Sequence, residues 1–160
     1  MKKIYLSVVC LLISIPLIAQ LYVEPEKEVE CSVFLAKEGR GRAQQGLEMW
    51  DDYIFSCEDG GHVNIYDFKS ADPKPVAGFE LASSHPDNHV NNVCFGVETK
   101  RGASFPLLYI TNGKVGSELE WLCFVESITR RGKRFSSEIA QTIELDGSKW
   151  VEKGYVPIFG

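Results

Sequence analysis

Two matching segment ends constrain this chain more than any other feature. Phe79-Glu80-Leu81 closes one run of strand-like segments, Ile143-Glu144-Leu145 closes a second, and the segments before each closing follow a similar order. A repeat of about 55–65 residues made of short β-prone stretches points to a radial or stacked β architecture, in which each unit covers the faces of its neighbours. Two such units and a fragment of a third are too few to close a ring.

The first unit opens with a candidate inner strand, Gln45 to Trp50, followed by a tight turn at Asp51-Asp52. Tyr53 to Cys57 is strongly β-prone. Asp59-Gly60-Gly61 signals a hairpin, because glycine supplies the positive φ that tight turns need. His62 to Phe68 continues with β-branched and aromatic residues. Asp72-Pro73-Lys74-Pro75 breaks the pattern, and Val76 to Leu81 is a fourth strand. The second unit places an inner strand around Val93-Cys94-Phe95, a strong strand over Phe105 to Thr111, a turn at Asn112-Gly113 and a long third strand over Glu120 to Ile128. A turn at Arg130 to Arg134 then leads to a fourth strand, Ser137 to Leu145, and Asp146-Gly147-Ser148 begins a third unit. No stretch reads as a helix of three turns. The expected class is all-β.

The N-terminus reads differently. Lys2 and Lys3 precede an apolar run from Ile4 to Ile18, with Ala19 as the small residue at a cleavage point. This is the pattern of a signal peptide over residues 1–20 rather than of a membrane span, a retained anchor being the alternative. Cys10 lies inside the apolar run, the wrong place for a lipidated cysteine. Residues 21–38 read as a charged, proline-containing linker with a short first strand at Cys31 to Ala36, and residues 39–160 as the repeat region. Cleavage would leave fifteen basic against 22 acidic residues, a net charge of −7. That balance disfavours nonspecific binding to nucleic acid or to an anionic membrane. The expected location is secreted, periplasmic or extracellular, with no stable membrane insertion after cleavage.

Four antiparallel strands per unit, closing on an apolar-Glu-Leu step, resemble the blades of a β-propeller. Tyr53 to Phe68 is similar to the second and third blade strands of NHL-like and quinoprotein-like propellers. His89-Val90-Asn91-Asn92-Val93-Cys94-Phe95-Gly96 resembles the start of a blade in secreted bacterial six-bladed propellers. The resemblance spans roughly residues 40–160 and implies antiparallel four-stranded blades, incomplete at about two plus part of a third. An unclosed stack leaves apolar faces uncovered. The chain is therefore expected to be the N-terminal piece of a longer protein or, if complete, to self-associate. In propellers the loop leading into the innermost strand borders the central channel, which implies His89 and Asn91 as ligand-binding residues.

His85-Pro86-Asp87-Asn88-His89 holds two imidazoles and a carboxylate within five residues, so His85, Asp87 and His89 are candidate ligands for a divalent metal. The competing reading is a polar connection in which Asp87 and Asn88 make turn hydrogen bonds. His62 is the remaining histidine. Asp51-Asp52 and Glu58-Asp59 suit solvated turns better than acid–base work, and no calcium-loop pattern is present. Gly39-Arg40-Gly41 lacks the third glycine of a dinucleotide loop. No serine stands in a Gly-x-Ser-x-Gly context. The cluster Arg130 to Arg134 reads as a hairpin turn before an anion contact, and Trp50, Trp121 and Trp150 as core before sugar-stacking residues. Cys57, Cys94 and Cys123 fall inside apolar runs and are expected as free, buried thiols, one disulfide being the alternative. The functional expectation is a secreted ligand-binding or scaffold module, taking a small molecule, glycan or peptide. Its alternative is a propeller hydrolase or lyase, metal-assisted, with His89 in the channel.

Overall fold

The computed structural model describes residues 42–72, 74–112 and 116–144. The expected signal peptide, the linker and its short strand, Gly113 of the Asn-Gly turn, and the third unit with Trp150 lie outside these residues. Within them the chain is all-β, with eight strands and no helix: β1 (Gln44–Trp50), β2 (Tyr53–Glu58), β3 (His62–Asp67), β4 (Ala77–Glu80), β5 (Asn92–Phe95), β6 (Leu108–Thr111), β7 (Leu122–Arg131) and β8 (Arg134–Glu144). They form two four-stranded antiparallel meanders, β1-β2-β3-β4 and β5-β6-β7-β8.

Each hairpin follows from its turn residues. Asp51 takes φ +50° between the paired Trp50 and Tyr53, a left-handed conformation that a short polar side chain tolerates. Gly132 takes φ +64° between the paired Arg131 and Arg134, the glycine-first pattern of a two-residue hairpin loop. One strand is shorter than its composition suggests. Phe105 to Leu107 precede β6 rather than belonging to it, because Pro106 has no N–H to give to a ladder. Leu107 still pairs locally, donating to Glu98 O at 2.7 Å and accepting from Gly96 N at 2.8 Å.

The two sheets stack in matched order, β1 against β5 and β4 against β8. Phe55, Cys57, Val63, Ile65 and Phe79 of the first sheet meet Val93, Leu108, Ile110, Phe124 and Ile128 of the second. Phe55 sits at the centre, edge-on to Phe95, Phe105 and Phe135 at centroid distances of 5.0, 5.1 and 6.4 Å. Phe135 stacks in turn on Phe79 and Phe105. Edge-to-face and offset geometries of this kind let ring edges meet ring faces and add to the burial term. Close approach of β1 to β5 depends on Gly46, where a Cβ would stand 2.9 Å from Val90 O and 3.0 Å from a Val93 methyl.

β2 and β3 are covered on both faces, so their burial does not alternate. The face turned away from the second sheet buries Ile54, Ser56, Glu58, Asn64 and Tyr66. Glu58 is completely inaccessible and accepts a 2.7 Å hydrogen bond from Asn64 Nδ2, which corrects its expected place as a solvated turn residue. Its neighbour on the hairpin keeps part of the expected exposure: Asp59 is half-buried.

The segment from Leu81 to Asn91 ties the sheets together with two core residues, Leu81 and Val90, and many hydrogen bonds. Leu81 N donates to Gly61 O at 2.8 Å, and Gly60 N donates to Asn88 O at 2.7 Å. Ser83 N donates to Glu126 Oε1 at 2.8 Å, and Ala82 N donates to Glu126 Oε2 at 3.0 Å and to Ser137 Oγ at 2.8 Å. Asn88 is fully buried; its amide reaches Ser83 O at 3.0 Å and its Oδ1 accepts from Val90 N at 3.1 Å. Val90 is held at φ +45°, a costly conformation for a β-branched residue that this web of bonds enforces.

Candidate functional site

At the hairpin end of the first sheet, the loop Asp59-Gly60-Gly61 meets the connecting segment and leaves a cavity of about 220 Å³. Arg42, Asp59, His62, Glu80, Ser84 and His85 line it. The register explains the assembly. His62 and Glu80 are direct partners across β3 and β4, so their side chains leave the same face together. His62 Nδ1 lies 2.9 Å from Glu80 Oε1. Gly78 leaves room for the ring, since a Cβ there would stand 3.2 Å from Nε2. Gly61 has φ +95°, and a Cβ on it would press to 2.8 Å from Ser84 Cα, so only glycine lets the two loops close around the cavity.

The polar atoms are arranged for holding rather than for attack. Ser84 Oγ donates to Gly60 O at 2.6 Å and stands 3.4 Å from Glu80 Oε2. The order is serine, carboxylate, imidazole, with the carboxylate in the middle. A nucleophilic serine needs the imidazole next to its hydroxyl, with the acid behind. Here the hydroxyl proton is committed to a peptide carbonyl instead. Arg42 Nη1 donates to Asp59 O at 3.3 Å. Asp59 Oδ1 is buried and has no hydrogen-bond partner among the described residues. A buried acceptor in that condition costs about 1–3 kcal/mol, which a ligand N–H or O–H would recover if the side chain turned toward it.

The residues singled out from sequence are distributed unevenly. His85 lines the cavity with His62. Asp87 is half-buried, and its backbone N–H donates to His85 Nδ1 at 3.2 Å. His89 is half-buried with its N–H on Asn112 Oδ1 at 3.0 Å, and exposed Asn91 donates its N–H to Thr111 O at 3.2 Å. His89 and Asn91 thus lead into β5, and neither lines this cavity. Among the described residues, no three His, Cys, Asp or Glu side chains converge as a metal-ligand set. Ser84 carried no motif signal, and Glu80 stood out only as part of the Phe79-Glu80-Leu81 closing, not as a site residue. Hairpin register alone could have paired Glu80 with His62.

Trp50 rests edge-on against Phe95 at 5.8 Å, and 38 % of its surface is exposed. Cys57, Cys94 and Cys123 are free thiols within strands, but Cys94 is exposed, because β5 is an edge strand and its outward position is left open. Burial, then the Glu126 charge, pushes the Cys57 thiol up to about 12 from 9.0. Cys94 is also raised, by partial burial and then by Glu48. The thiolate is the reactive form, so access decides between them. In the folded protein at pH 8, iodoacetamide is expected to label Cys94 at least about tenfold faster than Cys57, as read by peptide mapping. Equal rates would show that the core opens on the labelling timescale.

A scan of protein-family models and a search of curated proteins both find no match to this chain. No helix among the described residues is long and apolar enough to cross a membrane.

Proposed function

We propose that this protein is a secreted binding module of the β-propeller type, and that its two sheets are consecutive blades. The matched stacking of β1 on β5 and β4 on β8 supports the blade reading, since successive blades pack in that order. The signal-like N-terminus supports export. The cavity at the Asp59 hairpin takes a small polar ligand that donates hydrogen bonds, a glycan hydroxyl or an amine. One observation carries this: Asp59, whose buried Oδ1 has no hydrogen-bond partner among the described residues, lines a cavity together with Glu80 and Ser84.

Titration of the ¹⁵N-labelled protein with monosaccharides and with free amino acids tests it. At least one probe is expected to shift the Gly60, His62 and Ser84 amides, and Asp59→Ala is expected to weaken that response about tenfold or more. Spectra unchanged by every probe would overturn the cavity reading. A response retained in Asp59→Ala would remove the carboxylate from it.

A further inference from the structure

A second cavity, of about 390 Å³, lies between the two sheets at the opposite kind of hairpin, the one joining β7 to β8. Arg130 is among its lining residues. Arg130 and Phe135 are direct cross-strand partners, which lays the guanidinium carbon 5.8 Å from the Phe135 ring centroid. The other sheet brings Tyr53 to 4.8 Å from the same carbon. Arg130 Nε donates to Gly132 O at 2.8 Å, and the residue's backbone N–H donates to Ser104 Oγ at 2.9 Å. The guanidinium therefore rests against two rings and one carbonyl, while its terminal amino groups have no hydrogen-bond partner among the described residues. No carboxylate forms an ion pair with Arg130 among the described residues.

Acids are nearby but turned elsewhere. Asp67 and Asp72 share the cavity wall, yet Asp67 Oδ1 accepts from Lys69 N at 2.9 Å and Asp72 Oδ1 from Lys74 N at 3.1 Å, each closing its own turn. Lys74 and Lys133 stand on the rim. Three cations against two carboxylates leave the lining one charge positive, on a chain whose net charge is −5. Pro75 and Val76 supply an apolar wall beside the charge.

We infer that this inter-sheet cavity binds the carboxylate of a small, singly charged ligand, with Arg130 as its anchor. A guanidinium offers two parallel N–H donors to a planar carboxylate, and a fork already clamped on aromatic rings loses little freedom on binding. The cavity's size suits a small organic ligand. The carboxylate can belong to a free organic acid or to a peptide C-terminus, since both present the same atoms. This site is independent of the Asp59 cavity.

The test follows the Arg130 Nε–H signal by NMR during titration with benzoate, with the dipeptide N-acetyl-Ala-Ala, and with its C-terminal amide. Either acid is expected to shift that signal, and the amide is expected to leave it in place. A response to benzoate alone identifies a free acid as the ligand class, and a response to the dipeptide extends it to chain ends. Arg130→Lys keeps the charge but loses the fork, so binding is expected to weaken about tenfold or more with the fold intact. Lys133→Ser should weaken it by only about twofold to threefold, as expected of a point charge that lacks the fork of parallel donors. No shift with either acid, an equal shift with the amide, or full binding by Arg130→Lys would each overturn the inference.

Discussion

Replacing Phe55 by alanine is expected to destabilise the fold by about 4 kcal/mol, within the range for large aromatic-to-alanine changes in a packed core. Phe55 is completely inaccessible and, from the first sheet, touches three rings of the second unit. Deleting its ring opens a hole whose walls are Phe95, Phe105 and Phe135, and these are themselves held by strands that cannot easily collapse inward. The lost edge-to-face contacts add to the lost burial. Chemical denaturation, with the midpoint and slope both recorded, reads the loss. Phe55→Leu keeps most of the volume and should cost clearly less. A loss below about 1 kcal/mol in Phe55→Ala would mean that the sheets do not depend on this ring cluster to stay together.

Glu126 gives the second large effect, by a different mechanism. Its carboxylate is fully buried and accepts the N–H groups of Ala82 and Ser83, residues on the segment that leaves the first sheet. Glu126→Ala would strand one peptide N–H and leave the other with Ser137 Oγ alone. Hydrogen bonds to a charged acceptor contribute about 1.5–3 kcal/mol each, and unsatisfied buried donors add their desolvation cost, so a loss of about 3 kcal/mol is expected. Glu126→Gln retains an acceptor oxygen and should lose roughly half of that. Amide exchange at Ala82 and Ser83 offers a local readout: both should exchange faster in Glu126→Ala than amides of β6 and β7 do. Uniform acceleration throughout would mean that the carboxylate supports the whole fold rather than the joint between sheets.

Strand positions were legible because their causes are local. Tyr53 to Cys57, His62 to Phe68 and the stretch around Val93 carry β-branched and aromatic residues, and Asp51-Asp52, Asp59-Gly60-Gly61 and Gly132 punctuate them with turn chemistry. Phe105 to Leu107 have strand-like composition, but the missing N–H of Pro106 starts β6 only at Leu108. Glu58 was misread for a related reason: a carboxylate next to an Asp-Gly-Gly turn looks solvated until the covering of its face is known. His85 lines a cavity together with His62 and Ser84 and accepts a hydrogen bond from the Asp87 N–H, whereas His89 does not line that cavity.

The sequence by itself determined the eight strands, their hairpin order and the all-β class, because strand propensity and turn geometry act over a few neighbouring residues. Only the tertiary structure decided what those strands make together. The stacking of the sheets brings Arg130 over Tyr53, seventy-seven positions away along the chain, and sets Glu126 beneath the amides of Ala82 and Ser83. Contacts of that kind depend on the angle and offset between two sheets, which many side chains fix jointly. Hydrophobic burial is nondirectional, so no single residue announces which distant polar group it will meet.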